Sequence, residues 1–156
     1  KKGEVVAIFL SIILAYIYGH VAEYYLHILL HKFGTKKSSP LSFHFSEHHR
    51  IARKSKFSDP VYQGTIFKWN ASGKEVVGLI LILILHFPIF FYYPFFYVTL
   101  VFSAAEYYYK HRKAHLNPEW AKKNIPWHYE HHMGKNQHLN WGVRSNVVDI
   151  ILSTNN

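Results

Sequence analysis

The chain has 156 residues, 49% of them apolar and 18% aromatic, with 18 Lys+Arg against 9 Asp+Glu, 13 histidines and no cysteine. That length holds one domain and hardly two. A chain this apolar and aromatic is not disordered. Without cysteine, a disulfide scaffold, a thiolate zinc finger, an Fe–S protein and a cysteine nucleophile are all excluded.

The apolar residues are segregated. Val5 to Leu30 is mostly apolar, interrupted by Gly19, His20, Glu23 and His27. Lys1-Lys2 followed by Val5–Leu14 mimics a signal peptide, but the small-residue cleavage pattern is missing. The segment is therefore expected to be a retained anchor. Lys32 to Lys74 is polar and basic. Val76 to Ala105 is a 30-residue run with no Asp, Glu, Lys or Arg, long enough to read as membrane-embedded. As one helix it would be about 45 Å long at about 1.5 Å per residue, more than the roughly 30 Å hydrocarbon core. Pro88 and Pro94 bracket Ile89–Tyr93, and proline breaks or kinks a helix. The expectation is a helical hairpin, with arms over about 74–87 and 95–115 and a turn near 88–94. After Glu106 the chain is polar again.

Charge sets the expected topology. The 32–74 segment carries nine Lys and Arg against Glu47 and Asp59, and Lys110, Arg112, Lys113, Lys122 and Lys123 flank the far end of the hairpin. The positive-inside rule puts both flanks in the cytoplasm. The charge of +9 then serves topology and anionic lipid; no nucleic-acid motif accompanies it, and no nucleic-acid partner is expected. The sequon Asn70-Ala71-Ser72 faces away from the glycosylation machinery and is expected to be unused. The resulting fold is all-α: one membrane domain over 1–156, with apolar helices at about 4–31 and 75–110. Cytosolic segments at about 32–74 and 111–156 form a helical cap.

Ten of the 13 histidines fall into four groups: His27/His31, His44/His48/His49, His111/His115 and His128/His131/His132. On a helix, residues i and i+3 or i+4 share a face. His128, His131 and His132 span about 100° of a helix and can converge, whereas His49 lies roughly 140° from His44. The second group therefore needs a distorted or short helix. Imidazole suits Fe, Zn, Cu and Ni. Ten imidazoles are too many for one ion; two ions with five each would each keep one position of a six-coordinate shell open, as oxygen activation requires. A single full crossing by 76–105 would separate the groups, and the hairpin brings them to one side. HExxH is absent, which disfavours a zincin protease. Candidate carboxylates to orient the ligands are Glu23, Glu47, Glu106, Glu130 and Asp149. His138 is an eleventh candidate imidazole. His20 shares the stripe of Tyr24, His27 and His31; it lines a lipid channel or is a satisfied core histidine. His86 belongs near the hairpin turn. Tyr107–Tyr109, Trp120, Trp127 and Tyr129 suit the membrane–water boundary.

These motifs resemble the membrane fatty acid hydroxylase/sterol desaturase superfamily, over about 23–152. The matching pieces are Glu23-Tyr24-Tyr25-Leu26-His27 to His31, His44 to His49, His111 to His115 and His128 to His132. Asn140-Trp141-Gly142 resembles the Asn-aromatic-Gly that follows the last histidine box, which makes Asn140 a further candidate near the site. The first box is HxxxH, one residue shorter than in many relatives, and the second is HxxxHH where many have HxxHH. The resemblance implies two non-haem Fe ions (zinc being able to replace them in purified protein), O2 as co-substrate and a membrane lipid substrate. With no fused cytochrome domain, a separate electron donor, cytochrome b5-like or ferredoxin-like, is implied. The expected function is an O2-dependent di-iron oxidoreductase, first a fatty-acyl hydroxylase acting on an unactivated C–H bond. The alternatives are a sterol desaturase or carotenoid hydroxylase of the same superfamily, or, in another class, a non-redox membrane metal-binding or transport protein. The expected location is a bacterial inner membrane or the ER membrane, with the active site on the cytoplasmic side.

Overall fold

The structure, a computed structural model, describes residues 1–155. These residues form seven α-helices and no strand: α1 (Lys2–Gly34), α2 (Arg50–Lys54), α3 (Ala71–His86), α4 (Pro94–Leu116), α5 (Pro118–Asn124), α6 (Pro126–Met133) and α7 (Val147–Ile151). A π-helical turn covers His44–His49, and 3-10 turns cover Pro60–Gln63 and Phe87–Phe91.

Local chemistry sets the boundaries. The Asn70 side chain accepts from Gly73 N–H at 3.1 Å and caps α3, so the sequon asparagine is a helix cap. Pro94, Pro118 and Pro126 each stand at the first position of their helix, where the missing N–H costs nothing. Asn117 caps α5 by accepting from Trp120 N–H at 3.0 Å. Pro88 lies inside the 3-10 turn that ends the first arm. The hairpin boundaries thus fall within a few residues of those expected from the two prolines.

The Tyr97 hydroxyl donates to the Leu83 carbonyl at 3.2 Å, and the Ser72 and Tyr108 hydroxyls are 2.8 Å apart. These pairs run in opposite order along the two helices, so α3 and α4 are antiparallel. α1 crosses α4 at Gly19, where an added Cβ would lie 2.9 Å from Ser103 Oγ; glycine is what permits the approach.

Two helical segments, Lys2–Gly34 and Ala71–Phe91, are long and apolar enough to cross a membrane, with mean hydropathies of 2.2 and 2.1. Only 6% and 0% of their apolar windows are buried against protein; the core helix of a water-soluble domain would be mostly covered. Exposed residues include Phe9, Leu14, Ile17, Leu81, Ile84 and Leu85.

The conventional hydrophobic core is small. Phe57, Ala114, Ala121 and Ile125 pack together under Trp120, Trp127, Tyr129 and Met133. Trp120, Trp127 and Tyr129, expected at the membrane boundary, pack on this apolar cluster while staying partly exposed. The centre of the cap is built from imidazoles.

Candidate metal centre

All ten grouped histidines are buried, none more than 4% exposed. They form two adjoining clusters. His27, His31, His44, His49 and His131 have ligand atoms within 4.8 Å of one another, and so do His48, His111, His115 and His132. His128 joins the second cluster through its Nε2, 3.3 Å from His115 Nε2. The clusters meet where the rings of His49 and His132 stack at 4.2 Å.

Helical geometry explains the division. α1 supplies a pair to the first cluster and α4 a pair to the second, each from i and i+4 on one face. Neighbouring residues on a helix point about 100° apart, so each HH pair is split. His131 and His49 enter the first cluster, His132 and His48 the second. The π turn solves the problem of His44 and His49. Its wider i to i+5 spacing brings their Nε2 atoms to 3.1 Å.

Hydrogen bonding cannot account for these approaches. His31 Nε2 lies 3.1 Å from both His49 Nε2 and His131 Nε2, and His49 Nε2 is also 3.1 Å from His44 Nε2. A ring nitrogen offers one proton or one lone pair, so neither His31 nor His49 can satisfy two such neighbours. A shared cation can. Nitrogens at about 2.0–2.1 Å from one ion lie about 2.9–3.4 Å apart as neighbours and about 4.1 Å apart when opposite. Among the described residues, six buried imidazole nitrogens have no partner: His27 Nε2, His31 Nδ1, His48 Nε2, His128 Nδ1 and both nitrogens of His132. A metal bond takes one nitrogen of each ring, so bound ions would satisfy His27 Nε2, His48 Nε2 and one nitrogen of His132, each otherwise costing about 1–3 kcal/mol. The residues fit bound metal, and the two clusters could hold metal ions.

The outward nitrogens are held as metal-bound imidazoles usually are. Nδ1 of His27 lies 2.6 Å from the Trp141 carbonyl, that of His115 2.9 Å from Phe57 O, and that of His131 2.8 Å from Leu139 O. His48 Nδ1 meets Asp59 Oδ2 at 3.0 Å, and His111 Nδ1 meets Glu75 Oε1 at 2.6 Å. Each such N–H donates outward and leaves Nε2 bare for the cluster. The Gln137 amide lies 3.1 Å from His49 Nδ1. Two of the acceptor loops use left-handed backbone: Phe57 has φ 78° and Asn140 φ 59°. For a bulky aromatic residue this is an outlier, and it turns the Phe57 carbonyl onto His115.

Outside the apolar helices, burial pushes His44, His49, His128, His131 and His132 well below the usual histidine range, and neighbouring imidazoles add to the effect. Burial also lowers His48, opposed by Asp59. Neutral imidazole is the ligating form. Burial, then Glu75, raises Tyr62 far above the usual phenol range; its hydroxyl stays protonated and donates to Glu75 at 2.6 Å.

The carboxylates chosen from sequence sit elsewhere. Glu47 pairs with Lys74 and Glu130 is exposed on α6. Glu23 accepts from the backbone N–H of Val143 and Arg144 and from Arg144 Nε, and Glu106 pairs with Lys110 and Arg144. None of the four takes a proton from a clustered histidine; Glu23 and Glu106 tie α1 and α4 to the 143–144 segment. Asp149 acts one step removed. It accepts from Trp141 and Gly142 N–H, both at 2.8 Å, and so fixes the loop whose carbonyl holds His27. Asn140 is buried in that loop, its N–H donating to Thr154 O at 2.8 Å. His138 is exposed, with its ring 5.5 Å from that of His31, and stands outside the cluster. His20 packs edge-on against Tyr16 at 4.8 Å. His86 ends α3 beside the hairpin turn, as expected.

An apolar cleft of about 700 Å³ runs between α1 and α3 over α4. One end is formed by His27 and His44 of the first cluster and His48 and His111 of the second. Leu30, Leu79, Ile82 and Leu100 line its length. Exposed Tyr25, Leu29, Leu81 and Leu85 stand at its rim, so the cleft opens sideways from the helices. Glu75 and Tyr107 line it beside the histidines.

Comparison with protein-family models, with curated proteins and with solved structures finds no match to this chain.

Proposed function

We propose that this chain is an integral-membrane, O2-dependent di-iron lipid oxygenase, and that it acts as a fatty-acyl hydroxylase of the histidine-box superfamily its motifs resemble. One observation carries the reading: a long apolar cleft, open at its side, ends on both histidine clusters at once. A pathway for metal transport would distribute its ligands through the membrane. Here they gather at one end of the apolar helices.

α1 and the α3–α4 hairpin lie in the bilayer, and the basic 32–74 and 110–123 segments hold the cap in the cytoplasm. The membrane is a bacterial inner membrane or that of the ER. Two bound iron ions, with O2, supply the oxidising power needed to cleave an unactivated C–H bond. His27, His31, His44, His49 and His131 would hold one ion; His48, His111, His115 and His132, with His128 beside them, would hold the other. Asp59, Glu75 and the carbonyls of Phe57, Leu139 and Trp141 fix the orientation of five of these rings. The cleft binds the alkyl chain, excludes water and presents one carbon to the clusters. One oxygen atom enters the C–H bond and the other leaves as water, with two protons from solvent and two electrons from a separate donor protein.

The test is anaerobic purification with iron, followed by addition of reductant, O2 and membrane lipid extract, with hydroxylated acyl chains identified by mass spectrometry. Hydroxylated lipid dependent on both iron and O2 is expected. Metal flux into vesicles without lipid oxidation would overturn the reading.

A further inference from the structure

The cleft has a built end. At the extremity away from the clusters, Tyr18 of α1 and His86 of α3 both line it, and the Tyr18 hydroxyl lies 2.8 Å from His86 Nε2. His86 Nδ1 is 2.8 Å from the Ile82 carbonyl. Nδ1–H therefore donates to that carbonyl, and Nε2 accepts from the Tyr18 O–H. The Tyr18 ring also lies 5.9 Å from Phe96 of α4, so three helices meet at this point. Tyr18 is 41% exposed; with α1 and α3 in the bilayer, as proposed above, a mutually satisfied polar pair is stable where either partner alone would be costly. The pair links the two walls as a bar at that end of the cleft and leaves an alkyl chain no free polar partner there.

The spacing defines a ruler. Tyr18 precedes His27 by nine residues and His86 follows Glu75 by eleven, so the bar stands about 14–16 Å from the clusters along both walls. Gly78 lies between the bar and the clusters. A Cβ added there would meet nothing within 4 Å, although the residue lines the cleft. That level is open space into which a larger side chain would project.

We propose that the Tyr18–His86 bar is the specificity-determining stop of the cleft: the methyl end of a single acyl chain abuts it, and its distance from the clusters fixes how much chain lies beyond the oxidised carbon. This rests on the lipid reading of the cleft.

The test uses the full chain in nanodiscs loaded with an equimolar series of saturated fatty acids. Native mass spectrometry reads the chain lengths retained, and product analysis reads the position oxidised. Tyr18→Ala and His86→Ala are expected to shift the longest retained chain upward and to move oxidation further from the methyl end. Gly78→Phe, which fills open space, is expected to shift retention to shorter chains. Leu79→Ala, on the side wall, is expected to leave the length profile where it is. An unchanged profile in the bar variants and in Gly78→Phe would overturn the ruler, as would equal shifts in Leu79→Ala. Shifted retention without any oxidised lipid would refute the oxygenase reading and leave the stop standing.

Discussion

Asp59 offers the sharpest separation between the two clusters. Its carboxylate is fully buried; Oδ2 takes the His48 Nδ1–H at 3.0 Å and Oδ1 takes Val61 N–H at 3.1 Å. Asp59→Asn keeps the shape but replaces one acceptor oxygen by an NH2 group. Either His48 then faces a donor, or the turn at Pro60 loses its cap. Removing such a partner of a metal-bound histidine costs about 10–100-fold in metal affinity, equivalent to about 1.4–2.7 kcal/mol. Asp59 touches the second cluster through His48, while the first is oriented by the Trp141 and Leu139 carbonyls. Titration against a chromophoric chelator should therefore show one site weakened within that range and the other unchanged. Equal weakening of both sites, or of neither, would refute the assignment of His48 to the second cluster and of Asp59 as its orienting partner.

Other outcomes follow from the same contacts. His48→Ala, His115→Ala and His131→Ala should each abolish lipid oxidation while leaving the protein in the membrane; retained turnover in all three would contradict the site. Arg144→Ala leaves Glu23 buried without its cation, a change that costs about 3–5 kcal/mol, and should lower the thermal midpoint markedly more than Lys122→Ala, whose pair with Glu119 is on the surface. The metal-free protein should be acid-sensitive. Burial holds His44, His49, His128, His131 and His132 below their unfolded value, so the unfolded chain takes up protons first as pH falls through about 6.5. Stability is then complete above that pH and declines below it; thermal melts of chelator-treated protein from pH 8 to pH 5 check this, and a flat profile would contradict it.

The parts of this architecture visible in the sequence were those written in local spacing. Two prolines marked the hairpin, and i,i+4 spacing marked the paired imidazoles of α1 and α4. The awkward angle between His44 and His49 pointed to a distorted helix, which the π turn supplies. What sequence could not supply was the register between distant segments. Glu47 and Glu130 stand next to HH pairs in the chain, yet adjacent helical residues diverge, and both point away. The carboxylates that do meet ligands come from afar: Asp59 reaches His48 across 11 residues and Glu75 reaches His111 across 36. In the sequence Asp59 counts only as a charge of the 32–74 segment, and nothing marks Glu75. The carbonyls of Phe57, Leu139 and Trp141 carry no side-chain signature. Glu23 and Glu106 were recognisable as costly at the ends of apolar runs, but their common partner Arg144 is 121 and 38 residues away.

The central claim is that the two imidazole clusters are two metal sites in one chain, and elemental analysis of protein purified anaerobically without added metal tests it most directly. The account predicts about two iron atoms per chain, one for each cluster. One metal or none in correctly folded protein would contradict it.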